Sequence, residues 1–291
     1  VQWAGRQLMI GLTLPLTLFG AAAASVFTEL DREIVNFKRV YGDLGTSAAE
    51  TDKITESVKE LSVELTKYGQ SVQQTLQLSG DIAATGAVGD ELIARTTATT
   101  KLATLGMIDQ QQAMDATISM QSAFAMSNEE LAQSVDFLNA VENQTVLSLS
   151  DVTEAIPRAA TVIRGLGGDI KDMAVLLTAM REGGVQAVDG ANALKSGLAR
   201  LITPTKNASD AAAAYGINLQ KMIDANRGDL MGLLDDFGAA LNQLDDFGKQ
   251  EVLSKVFGKY QFARFSALFN SLSDDASQAQ RALDLVGMSA Q

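Results

Sequence analysis

Twenty-two consecutive residues, Gln7 to Thr28, carry no charge, and they open a chain whose remaining sequence is mixed in sign and polar in character. The centre of the stretch reads LMIGLTLPLTLFGAAAASVF. As a helix rising ~1.5 Å per residue it would measure roughly 33 Å, enough to cross the hydrocarbon of a bilayer. Charged sequence follows at once, with Glu29, Asp31, Arg32 and Glu33. A chain built this way must hide the stretch in lipid, in a protein-lined tube, or against copies of itself. The side chains that would make that contact are Leu8, Ile10, Leu12, Leu14, Leu16, Leu18, Phe19, Val26 and Phe27. A secretory leader fits less well. The run exceeds the ~7–15 apolar residues of such leaders, and Arg6 alone supplies positive charge ahead of it, although Ala21 to Ser25 resembles a cleavage site. Gly11 and Pro15 interrupt the run, so a kink or two shorter helical pieces is expected near Pro15. The chain begins at Val1 rather than Met, which suggests a slice of something longer.

The rest of the sequence points to an all-α fold. It has 291 residues and only 3 prolines. Ala, Leu, Gln, Met and Lys abound, whereas Val and Ile seldom alternate with polar residues. The expected architecture is a multi-helix bundle preceded by the hydrophobic helical segment. The net charge is −12 and no stripe of Lys and Arg occurs, which disfavours gripping phosphate in DNA or RNA. There is no cysteine and no histidine. Disulfides, thiolate or imidazole metal sites, and Ser-His-Asp or Cys-His nucleophile systems are therefore excluded.

Glycines punctuate the early chain at Gly45, Gly69, Gly86 and Gly106. Between the first two, Ile54, Val58, Leu61, Leu65 and Tyr68 recur in steps of four and three, one narrow apolar stripe with Glu and Lys on the other faces. Over about two heptads this is either intramolecular packing or a short helix-association seam. Ser127 with Glu130 forms a capping-box pattern, and Asp109 with Gln112 a second. Ser150 or Asp151 opens a helix that carries Pro157 about two turns in. Asp169 starts IKDMAVLLTAM, apolar on nearly every side and so expected at the centre of the bundle. That helix should stop at Gly183-Gly184, and the next, through Val188, Ala191, Leu194, Leu198 and Leu201, at Pro204. Near Tyr215-Gly216-Ile217-Asn218-Leu219 the periodicity changes, and a small β-hairpin over residues 216–229 is expected. Seven of the sixteen aromatic residues lie between Phe237 and Phe269, a spacing that reads as the core of a small helical subdomain. The organisation expected is a hydrophobic segment at 1–28, a long amphipathic helical region at 29–69, a helical core at 70–215 and an aromatic-rich subdomain at 216–291.

The chemistry-like motifs have simpler explanations. Asp236-Phe237-Gly238 and Asp246-Phe247-Gly248 imitate a kinase magnesium motif, but the chain has no histidine for the catalytic loop. An aspartate-rich helix face with the phenylalanine turned inward accounts for both. Gly165-Leu166-Gly167-Gly168 follows a helix, not a strand, and lacks GK[ST], so it reads as a helix–helix turn with positive φ. The pairs Asp235-Asp236, Asp245-Asp246 and Asp274-Asp275 lack calcium-loop spacing. No cofactor, metal or catalytic residue is indicated, and the expectation is a protein that is not an enzyme.

The middle of the chain resembles the core region of phage tail tape-measure proteins. The resemblance is carried by Pro157-Arg158-Ala159-Ala160, Gly165-Leu166-Gly167, and the run from Met173 to Met180. It continues through Gly183-Gly184 and Leu194-Lys195-Ser196-Gly197-Leu198-Ala199-Arg200-Leu201, closing at Pro204. Ala214-Tyr215-Gly216-Ile217 and Val256-Phe257-Gly258-Lys259 resemble later landmarks, and Gly5-Arg6-Gln7-Leu8 with Gly11, Thr13 and Pro15 an earlier one, so that it covers roughly residues 5 to 270. It implies a structural protein in the lumen of the virion's tail, setting tail length during assembly and leaving at infection, with its apolar segment entering the host membrane as DNA crosses. The implied partners are further copies of itself, commonly three, the tail tube, tail-tip or baseplate proteins, and tail assembly chaperones. One departure stands out: apart from Ile54 to Tyr68 the sequence is glycine-punctuated, unlike an uninterrupted helical ruler. The alternative from the apolar run alone is a membrane-anchored helical scaffold or receptor-like protein.

Overall fold

The computed structural model describes residues 20–289, with side chains from 30 to 287. Among the described residues there are fifteen α-helices and no strand. Two compact units divide the chain between Thr100 and Lys101.

In the first unit, α1 (Gly20–Gly42), α2 (Ala48–Leu65) and α3 (Val72–Ala84) pack on one another, and α4 (Gly89–Leu105) begins beyond a glycine turn. Ser47 and Ser71 each form a reciprocal capping box, with Glu50 and Gln74. These satisfy two backbone donors apiece and so set where α2 and α3 begin. Phe37 and Tyr41 stack at 5.8 Å and are buried, and the Tyr41 hydroxyl accepts a hydrogen bond from Gly89 N–H at 3.0 Å.

The second unit is organised around α8 (Ile170–Glu182). Asp169 caps it in a box with Asp172, and nine of its residues are buried, from Ile170 to Met180. A helix apolar on all sides has no solvent face to offer, so neighbours surround it. These are α6 (Asn128–Gln144), α7 (Leu149–Gly165), α9 (Ala187–Ile202), α14 (Phe262–Leu272) and α15 (Gln278–Ser289). On its other side α7 packs on α5 (Gln110–Phe124), while α13 (Asp246–Phe257) packs on α9, α14 and the short α10 (Lys206–Ala214).

Several local expectations shift by one step. Ser127 and Glu130 close their capping box, whereas at α5 Asp109 accepts from Gln111 and Gln112 N–H without the reciprocal bond. The Gln112 amide instead donates to the Thr153 hydroxyl at 2.8 Å. The start of α7 is Ser148, boxed with Asp151, rather than Ser150 or Asp151, and Pro157 lies within it.

The hairpin over 216–229 is not formed. Asn218 accepts from Lys221 N–H and starts α11 (Leu219–Ala225), and Asp229 accepts from Gly232 N–H and starts α12 (Leu230–Asn242). Gly216 and Gly228 have φ near +80° and +82°. The Gly and Asn/Asp residues that suggest a hairpin turn also stop and start helices, and here the side-chain caps take them that way.

Candidate functional site

The uncharged opening segment falls mostly outside the described residues. Leu8, Ile10, Leu12, Leu14, Leu16, Leu18 and Phe19 all precede them, and Val26 and Phe27 lie on α1 at positions where only the backbone is described. Among the described residues no helix is long and apolar enough to cross a membrane. In the stripe of the first unit, Ile54, Val58, Leu61 and Leu65 are buried on α2, and Tyr68 lies half-buried in the 3₁₀ turn Thr66–Tyr68 that follows.

In the second unit, sequence landmarks far apart in the chain meet around α13. Phe237, Phe257, Phe265 and Phe269 form one cluster in the core. Phe257 and Phe265 stack with centroids 3.7 Å apart and planes 6° from parallel. Gly197 on α9 makes room for the pair, because a Cβ there would overlap the Phe265 ring and lie 3.0 Å from Phe257 Cδ1. One turn further along α9, Arg200 Nη1 donates to the Phe257 carbonyl at 3.3 Å, capping the C-terminus of α13 with a cation where the helix dipole is negative. Gly258 follows with φ +87° and ψ 160°, a region essentially restricted to glycine, and a Cβ there would strike the same guanidinium. Tyr215 closes the other end. Its hydroxyl donates to Glu251 Oε2 at 2.8 Å, which pushes the phenol up, and its ring covers Gly248.

The Asp-Phe-Gly triplets separate in this frame. Phe237 turns into the core, as a local explanation requires, but Phe247 is 72% exposed at the start of α13, where Asp245 caps the helix by accepting from Gly248 N–H. The inward reading of the second triplet is therefore corrected. In the first turn of α13, Phe247 falls on the solvent side of the helix.

A second meeting point joins the Gly165–Gly168 turn to residues 226–229. Gly167, at φ +89°, stands where a Cβ would overlap the Gly228 carbonyl. Beside it opens a cleft of about 460 Å³ lined in part by Leu166, Ile202, Ile223, Asp229 and Leu233. Burial pushes the nearby Asp172 carboxyl up to about 6; the Asp169 carboxylate and, less strongly, Asp229 add to this, opposed by the hydrogen bond from Asp169 N–H and by Lys171. Burial also raises Asp235, with Asp229 and Asp236 adding to it. Among the described residues no three metal-ligating side chains form a group suited to an ion. The chemistry of both meeting points is that of helix termination and packing. Arg200 and Tyr215 are each one residue of an apolar or small-residue run, and nothing local distinguishes them as partners of a helix about forty to sixty residues later.

The chain belongs to the phage-related minor tail protein family, matched over residues 44–258. It is similar to the tape measure protein of Pneumococcus phage Dp-1, with 23% identity over 222 residues, 76% of this chain and 18% of that protein. It is also similar to the probable tape measure protein of Escherichia phage P2, 24% identical over 194 residues, or 66% of this chain and 24% of the other. The chain therefore spans less than a quarter of the length of each of these two relatives. No solved structure matches it.

Proposed function

We propose that this chain is part of a tape-measure protein: a structural, non-enzymatic protein carried in the lumen of a phage tail, where it sets tail length during assembly and is released at infection. The observation that carries this reading is the family match over residues 44–258 together with two relatives named as tape measure proteins. The uncharged Gln7–Thr28 stretch is the part suited to burial in the tube and to entry into the host membrane as DNA is ejected. Its partners on this reading are further copies of itself, tail-tube subunits, tail-tip or baseplate proteins, and assembly chaperones.

Within that role the region after residue 28 is an end-docking body rather than the ruler. A ruler scales by ~1.5 Å per residue of continuous helix. The longest described helix has 23 residues, and turns, many of them at glycines, break the rest into shorter pieces. The test is tail length by negative-stain electron microscopy after in-frame deletions and helical insertions in the full-length gene. Rescaling by roughly 1.5 Å per residue for changes elsewhere in the gene, with loss of tails for deletions inside residues 29–291, is the expected result. Tails unchanged by all of them would remove the tape-measure reading and favour the membrane-anchored scaffold.

A further inference from the structure

The two units bury very different interiors. Among the described residues, eight hydroxyl side chains are buried in the first unit beside thirteen apolar ones. In the second unit, which has more than twice as many described side chains, six are buried beside fifty-three. Apolar burial is the main favourable term in folding, so among the described residues the first unit has the smaller reserve per residue.

Most of its hydroxyls turn back on their own helices. Thr51 and Thr55 donate to the Ser47 and Thr51 carbonyls at 3.0 and 2.6 Å, and Ser62 to that of Lys59 at 2.7 Å. Thr75 and Ser79 repeat the pattern on α3, at 3.3 and 2.8 Å. Such bonds satisfy the hydroxyl but slightly weaken the helix that supplies the carbonyl. On α4 the sequence Thr96-Thr97-Ala98-Thr99-Thr100 packs four β-branched residues into five positions, each a poorer helix former than alanine. Thr96 shares a 3.3 Å hydrogen bond with Ser79, but the Thr99 and Thr100 Oγ1 atoms are buried with no hydrogen-bond partner. A buried donor left unpaired has lost its water and gained nothing in return.

We propose that the first unit is a metastable element that opens well before the second, with the Thr96–Thr100 segment of α4 as its weak point. The inference does not depend on the tape-measure reading, since it concerns only the relative stability of two parts of one chain. Within a virion it would supply a segment able to extend while the α8-centred body stays folded.

The test is native-state hydrogen exchange, read by mass spectrometry on the 291-residue chain across a urea series, comparing peptides from residues 72–100 with peptides from 170–182. Exchange of the first set at distinctly lower urea, with the gap narrowed by Thr99→Val plus Thr100→Val, is the expected result. Relieving two unpaired hydroxyls should slow exchange of the 72–100 amides about tenfold or more at low urea. If the double valine variant loses its far-ultraviolet helical signal, Thr99→Ala plus Thr100→Ala makes the same comparison without β-branching. A single transition shared by both sets would overturn the proposal. So would a gap that neither pair of substitutions moves, because the buried hydroxyls would then not be its cause.

Discussion

An alanine at position 197 adds one methyl group to α9 at a point where the Phe265 ring lies directly against the helix. In an exposed helix this substitution would gain about 1 kcal/mol, the difference in helix propensity between Ala and Gly. Here the new Cβ would overlap Phe265 Cε2 and Cζ and press on Phe257. Neither ring can yield cheaply. Both are fully buried, they stack 3.7 Å apart, and Phe269 and Phe237 close the cluster behind them. Overpacking a rigid site costs about 1–3 kcal/mol and occasionally more. With the propensity gain subtracted, Gly197→Ala is expected to destabilise the second unit by up to about 2 kcal/mol. The assay is urea unfolding followed by far-ultraviolet circular dichroism, in the wild type, Gly197→Ala, Phe265→Leu and the double variant. Leucine at 265 should restore the space, so the double variant should lose less than the sum of the two single changes. A midpoint for Gly197→Ala at or above the wild-type value, or strict additivity in the double variant, would refute the packing argument.

Two further outcomes follow from the second unit. Asp172 has its carboxyl pushed up to about 6 in the fold, so between roughly pH 4 and 6 the folded state holds a proton that the unfolded chain has released. The stability this group contributes is present below about pH 4 and lost as pH rises through 6. The shift corresponds to about 3 kcal/mol for a fully shielded group, and about 1–2 kcal/mol after allowing for the solvent that reaches this one. Asp172→Asn keeps an oxygen for Asp169 N–H, and should stabilise the protein by about 1 kcal/mol at pH 7.5 relative to pH 4.5, as read from urea midpoints; an unchanged pH dependence would contradict the assignment. Ala125 ends α5 at φ 54°, ψ 44°, a left-handed conformation that charges alanine for its Cβ. Ala125→Gly is therefore expected to raise stability by about 0.5–1 kcal/mol, visible as a higher thermal midpoint.

Most of what was legible in the sequence depends on residues three or four positions apart, although Asp109 and Gln112 share that spacing without closing a box. The Ser127–Glu130 box and the Asp169 cap follow from such short spacings, and the Gly183-Gly184 stop needs only the adjacent pair. The central place of α8 was legible too, since a helix without a polar face has only one kind of environment open to it. Where two local structures use the same residues, the pattern alone does not choose. Asn218, Gly228 and Asp229 suit a hairpin and a helix–turn–helix equally, and the caps made by Asn218 and Asp229 decide between them. Tertiary structure also decided which copy of a repeated motif turns inward, as Phe237 does and Phe247 does not. It alone brought Arg200 to the Phe257 carbonyl and Tyr215 to Glu251. The physical reason is range. A cap or a periodic face is closed by neighbours that the chain supplies at fixed spacing, whereas a contact across dozens of residues exists only once α9, α10 and α13 have been packed together by their buried faces.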